Sequence, residues 1–453
     1  MRQVQMRIYE NSPIFVQNLL TNAEGYRKHK NRCGPTYFKH LKNLEKRDYA
    51  NKEKLEAHQN RELQQLVRYA AEHSHFYKEL YKGIDLSSIQ TVNDLKKLPI
   101  VTKDLVRKNC EQLYTIPESE AVVTMTSGTS GVPLKFLNTK ENFQKRNAHL
   151  DYFKLQHGVI SLEMKRASFS PNKFIPPNQK ADVFWRDNTA AKQRLYSTYF
   201  CHSDTARLFA ANLNSYKPAS IDGLPSAIYE VARWINRTGF KLSFRPIAVF
   251  PTSETLYPHY RDEIERAFNC PVRNQYSSSE GAPFITECTH GRLHYHLDTG
   301  VIEDGPDGTM LITSFYTYGT PLIRYEIGDS VRMGNPNETC PCGSALPIVE
   351  QIQGRTNEYV LSKSGRRYSF THLSTTNPRL VAHVRKMQYI QRRPGEVHAL
   401  IEADSGKESL AVAVMKEKLD YLFGDDMDVS IDVVPRITSQ ENGKFRLIIN
   451  EMV

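Results

Sequence analysis

Apolar positions recur at helical spacing in the first quarter of the chain. An i, i+3, i+4, i+7 pattern, which places one apolar stripe on a helix, is formed by Leu63, Leu66, Val67 and Ala70. Pro99 interrupts this pattern, and Thr102 is a suitable N-cap for a helix over residues 103–109. The pattern predicts a helical segment over residues 50–110 and, more broadly, a helical N-terminal part over residues 1–95.

Beyond residue 120, short apolar runs alternate with helical patterns. We predict strands at residues 121–125 and 247–250. Helical periodicity is present at residues 206–213, 226–236 and 260–268. Strands that alternate with helices indicate an α/β fold with a largely parallel sheet.

From about Asp298 the pattern changes to short strands and turns. Asp304-Gly305 and Asp307-Gly308 mark turns beside predicted strands at residues 310–313 and 321–325, which favours antiparallel hairpins. The last hundred residues predict a strand at 396–401, a helix at 408–422 and a closing Asn442-Gly443 hairpin. We therefore expect a large α/β part with a β-rich subdomain, followed by a small α+β domain.

Length and charge narrow the class of protein. The chain has 453 residues, 40% of them hydrophobic, which is enough for a large core and favours two domains. Lys and Arg number 60 against 50 Asp and Glu, for a net charge of +10. This excess fits anionic small molecules such as nucleotides, or a solvated basic face. The sequence contains no nucleic-acid recognition module, so we expect no nucleic-acid partner.

The sequence predicts a protein of the cytoplasm. The first residues lack the apolar stretch of a secretory signal, and no segment approaches the roughly 20 apolar residues that span a bilayer. The seven cysteines are an odd number in a long chain, which does not indicate a disulfide framework.

A loop rich in glycine and hydroxyl groups follows the predicted strand at 121–125. The glycines allow the backbone to fold closely round an anion, the hydroxyl groups can donate hydrogen bonds to it, and the lysine adds a positive charge. The residues expected to bind the anion are Thr126, Ser127, Gly128, Thr129, Ser130, Gly131 and Lys135. Pro133 stands where the common nucleotide P-loop needs its second glycine, so the loop is of another kind. A surface loop of this composition without a ligand is the alternative.

This loop resembles the phosphate-binding signature of the adenylate-forming enzymes, the superfamily of acyl-CoA synthetases, adenylation domains and luciferases. Ser130 replaces the usual second threonine and keeps a hydroxyl, and Leu134 separates the proline from Lys135. The resemblance implies further motifs downstream in a fixed order, and they are present.

Two of these motifs concern the base and the metal ion. Residues 275–280 resemble the family's aromatic, small, small, Ser/Thr, Glu segment. The resemblance implies that Tyr276 packs on adenine beside Ser277 and Ser278, and that Glu280 binds Mg²⁺, which prefers oxygen ligands. The loop with Ser253 and Glu254 is similar to the family's adenine-side loop.

Three motifs towards the C-terminus complete the order. The segment 321–329 resembles the strand and turn in which the family's aspartate, here Asp329, accepts both ribose hydroxyls. Residues 354–358 resemble the hinge between the family's two domains, which implies a large domain over 1–353 and a small mobile domain over 354–453. Arg355 of that hinge is expected to contact the nucleotide and to assist catalysis. Lys444 stands where the family places its catalytic lysine.

Cysteine and histidine residues cluster between the motifs. Thiol and imidazole groups occur at Cys288, His290, His294, His296, Cys340 and Cys342. A Cys-x-Cys pair with Cys and His partners from another loop is typical of structural Zn²⁺. Similarity to zinc-bearing relatives implies Cys288, His294, Cys340 and Cys342 as ligands, with His290 as the alternative to His294.

Within the superfamily, the chain is most similar to the branch of phenylacetate-CoA ligases and CapK-like proteins of capsule biosynthesis. Features of that branch are the Leu98-Pro99 entry, residues 222–226 before a helix, and the cysteine cluster. The resemblance implies a ligase that joins a carboxylic acid to AMP, releases pyrophosphate and passes the acyl group to CoA.

Three other functions stay open. In the first, the acceptor is an amine, in polysaccharide or natural-product assembly. In the second, the enzyme transfers AMP itself to its partner. In the third, the chain is a non-catalytic nucleotide-binding homologue. The implied cofactors are ATP or AMP, Mg²⁺, Zn²⁺ and CoA, and the implied partners are a small carboxylic acid and a thiol or amine acceptor. Dimers are common in the branch, so a homodimer is one arrangement to expect.

Overall fold

The computed structural model describes residues 8–126, 134–177, 179–355, 358–373, 378–440 and 443–452. Within these ranges, no helix combines the length and the hydropathy that a membrane span requires.

The N-terminal part is helical, as predicted. Its helices are α1 (Ile14–Arg32), α2 (Pro35–Glu45), α3 (Lys52–His73), α4 (His75–Leu80), α5 (Lys103–Lys108) and α6 (Cys110–Leu113). The predicted apolar stripe lies on α3, where Leu63 and Leu66 are fully buried. The Thr102 side chain accepts a hydrogen bond from the Leu105 N–H group, so the predicted N-cap of α5 is confirmed.

An antiparallel pair of strands, β1 (Val122–Met125) and β2 (Lys135–Asn138), follows these helices and flanks the predicted phosphate loop. The predicted strand at 121–125 is thereby confirmed, one residue shorter. Residues 127–133 of the loop lie outside the described residues.

The parallel sheet follows the long helix α7 (Lys140–Gln156). Its strands are β3 (Arg166–Ser170), β4 (Trp185–Asn188), β5 (Gln193–Ser197), β6 (Ser220–Gly223) and β7 (Ala248–Pro251), in the order β4-β5-β3-β6-β7. Only the edge strand β4 is antiparallel to its neighbour. The helices are α8 (Ala206–Tyr216), α9 (Pro225–Thr238) and α10 (Pro258–Phe268), which confirms the helical predictions for this region.

Two antiparallel sheets form the β-rich subdomain. Its strands are β8 (Gln275–Tyr276), β9 (Ile285–Glu287), β10 (Leu293–Tyr295), β11 (Gly300–Asp304), β12 (Met310–Ser314), β13 (Tyr325–Glu326), β14 (Asp329–Met333) and β15 (Ile348–Arg355). One sheet has the order β14-β15-β10-β9-β8 and the other β11-β12-β13. The predicted strand at 321–325 is wrong for all but Tyr325, because Arg324 has φ of 49°, which an extended strand does not allow.

The C-terminal part is α+β. Its elements are β16 (Tyr359–Leu361), β17 (Arg367–Ser369), α11 (Phe370–Leu373), α12 (Pro378–His383), β18 (Val384–Gln391), β19 (Glu396–Ala403), α13 (Glu408–Phe423), β20 (Asp428–Val433) and β21 (Ile448–Asn450). The sheet order is β20-β19-β18-β21, with α13 packed on it. The strand and helix predicted here are confirmed, whereas Asn442 of the predicted hairpin lies outside the described residues.

Candidate active site

One cleft collects most of the predicted site residues. It lies where the loops after β7 and β8 meet the start of β14 and the C-terminal part of the chain. The predicted residues that line it are Thr126, Ser253, Glu254, Tyr276, Ser277, Ser278, Glu280, Asp329 and Lys444. The fold thus brings together side chains that are more than 300 positions apart in the sequence.

Some predicted residues are not brought to this cleft or lie outside the description. Ser127, Gly128, Thr129, Ser130 and Gly131 lie outside the described residues, as does the side chain of Arg355. The backbone of Arg355 ends β15, opposite Asp329 of β14. Lys135 does not line the cleft: its Nζ is 2.6 Å from Oε2 of Glu118, at the surface.

Thr126 holds the two ends of the glycine-rich loop together. Its Oγ1 accepts a hydrogen bond from the Leu134 N–H group at 2.9 Å, and its own N–H donates to the Leu134 carbonyl at 2.9 Å. The loop therefore leaves and re-enters the β1–β2 pair at one fixed point beside the cleft.

Tyr276 and Asp329 form the side of the cleft that is expected to bind a nucleoside. The Tyr276 hydroxyl donates a hydrogen bond to Oδ2 of Asp329 at 2.7 Å, and the Asp329 residue is 7% exposed. Tyr276 belongs to β8, while Asp329 begins β14 at the other edge of the same sheet. A carboxylate next to an aromatic ring suits a ribose diol and a base.

Glu280 is a buried carboxylate supported by an arginine that the sequence analysis missed. Arg146 on α7 donates to the Ser278 carbonyl, and its guanidinium lies 5.3 Å from the centre of the Phe284 ring. Burial lowers the pKa of Arg146 to about 10, and the negative charge of Glu280 opposes that shift. Gly281 has φ of 85°, and a Cβ there would meet Thr317 and Arg146. Only glycine fits this turn without displacing the arginine.

Glu254 connects the cleft to the C-terminal part. Its Oε1 accepts the Phe445 N–H group at 2.6 Å, and its Oε2 accepts the Ser226 N–H group at 3.2 Å, in the first turn of α9. Burial raises the pKa of Glu254, and these two hydrogen bonds oppose the shift. Because Phe445 follows Lys444, the carboxylate fixes the backbone that carries the lysine. Ser253 precedes it with φ of 70°.

Backbone hydrogen bonds hold Lys444 at the cleft. Gln440 N–H donates to the Lys444 carbonyl at 2.9 Å, and Gly443 N–H donates to the Gln440 carbonyl at 2.8 Å. On the other side, Nε of Arg446 lies 2.9 Å from Oε1 of Glu358, in the predicted hinge segment. Gly354, in the same predicted hinge segment, has φ of 79°.

Lys103 is a further residue of the cleft that the sequence analysis did not select. It occupies the first position of α5, directly after the Thr102 N-cap, and its side chain lines the cleft. The cap signal predicted this helix start, but nothing in the sequence indicated which distant loop the helix would face.

The four predicted zinc ligands lie together, away from the cleft. Sγ of Cys288 is 3.7 Å from Sγ of Cys340, and Sγ of Cys342 is 3.5 Å from Nε2 of His294. All four donor atoms lie within 4.8 Å of one another. Ligands about 2.3 Å from a tetrahedral zinc ion stand about 3.7 Å apart, so the spacing fits. His290 is exposed and outside this group.

The orientation of His294 suits a metal ligand. Its Nδ1 lies 3.1 Å from the Leu346 carbonyl, which places the ring proton on Nδ1 and leaves the Nε2 lone pair facing the thiols. Burial lowers the pKa of His294, which keeps the imidazole neutral. Neutral imidazole and thiolate are the forms that bind Zn²⁺.

Comparison with known proteins gives a consistent set of relatives. The family model of the CapK C-terminal domain matches residues 360–451. Protein CapK of Staphylococcus aureus is 35% identical to this chain, over 98% of this chain and 99% of its own length. Phenylacetate-coenzyme A ligase of Thermus thermophilus is 22% identical, over 88% of this chain and 97% of its own.

Among solved structures, the chain is similar to 2-hydroxyisobutyryl-CoA ligase. The crystal structure in the postadenylation state, in complex with R3-HIB-AMP, has a TM-score of 0.68 at 17% identity and covers 87% of this chain and 89% of that one. The same ligase in the thioesterification state, with 2-HIB-AMP and CoA, has a TM-score of 0.55 at 18% identity, with coverage of 88% and 90%. The fold is that of the adenylate-forming CoA ligases.

Proposed function

The chain belongs to the CapK family, and from this membership we propose that it is an ATP-dependent acyl-adenylating ligase. The observation that carries the proposal is the cleft in which Lys444, Asp329 and Glu280 meet. These residues come from three separate motifs, and each suits a different part of ATP. A test is the formation of AMP and pyrophosphate from ATP when a panel of carboxylic acids and acceptors is supplied.

In the first half-reaction, one oxygen of the substrate carboxylate attacks the α-phosphorus of ATP. A bond forms between the carboxylate oxygen and the α-phosphorus. The bond between the α-phosphorus and the oxygen that bridges it to the β-phosphorus breaks, and pyrophosphate leaves with that electron pair. Asp329 accepts hydrogen bonds from the ribose, the Tyr276 ring packs on adenine, and Lys444 stabilises the charge on the transferring phosphoryl group. The residues of the glycine-rich loop, Thr126 to Gly131, bind the phosphates.

Glu280 is the residue that would hold Mg²⁺. It is 4% exposed, carries the oxygen ligand that this ion prefers, and lines the cleft. When bound, Mg²⁺ supplies positive charge to the phosphates of ATP. The carboxylate is held in place by the turn at Gly281, which Arg146 supports from α7.

The second half-reaction transfers the acyl group from AMP to an acceptor. We propose the thiol of CoA, in keeping with the phenylacetate-coenzyme A ligase relative. An amine acceptor is the second candidate. In both cases the acceptor attacks the acyl carbon and AMP leaves. Preformed acyl-AMP offered to CoA and to amines separates the two, because one yields a thioester and the other an amide.

We further propose that residues 354–453 form a small domain that moves between the half-reactions. Polar contacts join it to the large domain at Glu254–Phe445, Arg237–Asp404 and Arg233–Asp404, beside an apolar contact in which both parts contribute to one hydrophobic cluster. Lys444 lines the cleft, and the higher TM-score with the postadenylation state than with the thioesterification state also supports an arrangement for the first half-reaction.

The four-residue Cys/His cluster is proposed to bind structural Zn²⁺. The enzyme is proposed to act in the cytoplasm, where ATP and CoA are available.

A homodimer is also proposed. Its support is the exposed apolar face of α1, where Phe15 and Leu19 are 67% and 65% exposed.

Replacing Glu254 with Gln is expected to slow adenylation by about 10-fold with little change in the KM for ATP. The charged acceptor for the Phe445 N–H is lost, and such hydrogen bonds contribute about 1.5–3 kcal/mol. The measurement is pyrophosphate release at saturating acid. Asp404→Asn, which weakens another contact between the same two domains, is the matched control and should change the rate less. Equal effects of both variants on kcat would contradict a specific positioning role for Glu254.

Replacing Asp329 with Ala is expected to raise the KM for ATP by about 10- to 100-fold, because two hydrogen bonds to the ribose are lost. Discrimination against 2′-deoxyATP and 3′-deoxyATP should disappear in the variant. Glu326→Gln, three residues earlier, is the control. An Asp329→Ala enzyme that still discriminates against both deoxynucleotides would show that Asp329 does not bind the ribose.

A further inference from the structure

A second group of potential metal ligands lies outside the cleft and outside the cysteine cluster. It consists of His149 on α7, His296 after β10 and Asp298 two residues later. One donor atom from each lies within 4.8 Å of the others. The three residues are 0%, 4% and 3% exposed, respectively.

The polar atoms of this group lack partners. Among the described residues, no hydrogen-bond partner exists for either ring nitrogen of His149, for Nδ1 of His296 or for Oδ1 of Asp298. Nδ1 of His296 and Oδ1 of Asp298 are 3.9 Å apart, which is too far for a hydrogen bond. Buried polar atoms are nearly always paired, so unpaired atoms on three side chains that converge within 4.8 Å indicate a bound group.

The remaining polar atoms of His296 and Asp298 are held from outside. Nε2 of His296 lies 2.7 Å from Oγ1 of Thr286, and Oδ2 of Asp298 accepts from Arg47 and, at 3.3 Å, from the Tyr49 hydroxyl. When Nε2–H donates to Thr286, the Nδ1 lone pair of His296 faces the group. Such outer hydrogen bonds are what orients metal ligands.

We propose that His149, His296 and Asp298 bind a divalent transition-metal ion at a site separate from the Cys/His cluster. Two imidazoles and one carboxylate suit Zn²⁺ and its transition-metal neighbours, whereas Mg²⁺ and Ca²⁺ take oxygen ligands. The cluster of Cys288, His294, Cys340 and Cys342 shares none of these three residues.

The position of the site assigns it a structural role. His149 joins α7 to the segment after β10, and its ring is stacked on Phe284 at 4.8 Å between ring centres. Arg146, one turn earlier on α7, lies 5.3 Å from the centre of the same ring and donates to the Ser278 carbonyl. The metal would therefore fix the helix that supports the Glu280 turn.

The test is the metal content of the full-length protein, loaded with excess Zn²⁺ and freed of unbound metal by gel filtration. The wild-type chain is expected to bind about two zinc ions, a Cys340→Ser, Cys342→Ser double variant about one, and His149→Phe about one. His157→Gln, a histidine just past the end of α7, is the matched control and should keep both ions. If His149→Phe retains the wild-type zinc content, the proposal is overturned.

A second measurement does not depend on the folding of a variant. Wild-type crystals soaked with Co²⁺ should show an anomalous peak between His149, His296 and Asp298 at the cobalt absorption edge. A water molecule in that position, with no anomalous signal, would overturn the proposal.

Discussion

Lys444→Ala is expected to reduce the rate of acyl-AMP formation by about 10²- to 10³-fold, the cost of removing one preorganised charge-stabilising group from a transition state. Lys444 lies in the cleft with Asp329 and Glu280, and the Glu254 carboxylate binds the N–H group of the next residue, Phe445. Since Lys444 is half-buried in the cleft and belongs to none of the described hydrophobic clusters, the fold should be intact, which circular dichroism checks.

The second half-reaction gives this prediction its internal control. If Lys444 acts only on the phosphoryl group, the variant should convert synthetic acyl-AMP to product at the wild-type rate. Lys363→Ala is the matched variant: that lysine belongs to the same C-terminal part, is paired with Asp428 at 2.6 Å and does not line the cleft. A Lys444→Ala enzyme that forms acyl-AMP at the normal rate would exclude the assigned role.

Cys340→Ser is expected to release the zinc ion proposed for the Cys/His cluster and to destabilise the protein. Structural zinc sites contribute on the order of 10 kcal/mol in small zinc-binding domains, so the melting temperature should fall by about 10 °C or more. The site ties the loop before β10 to the loop before β15. These loops contain few apolar residues, and this is why the loss should be large.

Zinc analysis and thermal unfolding measure this effect together. Cys110→Ser is the control, because Cys110 is a partly buried thiol at the start of α6, outside the cluster. It should keep its zinc and nearly all of its stability. A Cys340→Ser protein with unchanged zinc content, or a zinc-free wild type of normal stability, would contradict a structural zinc site.

Residues in contiguous motifs were predictable from the sequence. Glu280, Asp329 and Lys444 each lie in a short segment with a recognisable order, and the structure brings all three to one cleft. The helices α3 and α13 were also predictable from the sequence, since both have the apolar patterns expected of buried helices. Hydrophobic periodicity indicates which face of a helix or strand is buried, and it can be read from the residues of that element alone.

Contacts between distant segments were not predictable in the same way. Arg146 supports a turn more than 130 positions away, and α7 has polar residues buried on several sides, so no amphipathic pattern marks it. Lys135 was predicted to bind phosphate because it follows the loop motif, but in the structure its side chain is paired with Glu118. The strand predicted at 321–325 failed because a positive φ at Arg324 is not visible in apolar alternation.

Carboxylate-dependent exchange of labelled pyrophosphate into ATP, measured across a panel of acids, tests the central claim most directly. Exchange requires reversible formation of acyl-AMP and needs no knowledge of the acceptor. We expect exchange with one class of acid, abolished in Lys444→Ala and retained in Lys363→Ala. Absence of exchange with every acid, in a protein that demonstrably binds ATP, would contradict adenylation and favour a non-catalytic nucleotide-binding protein.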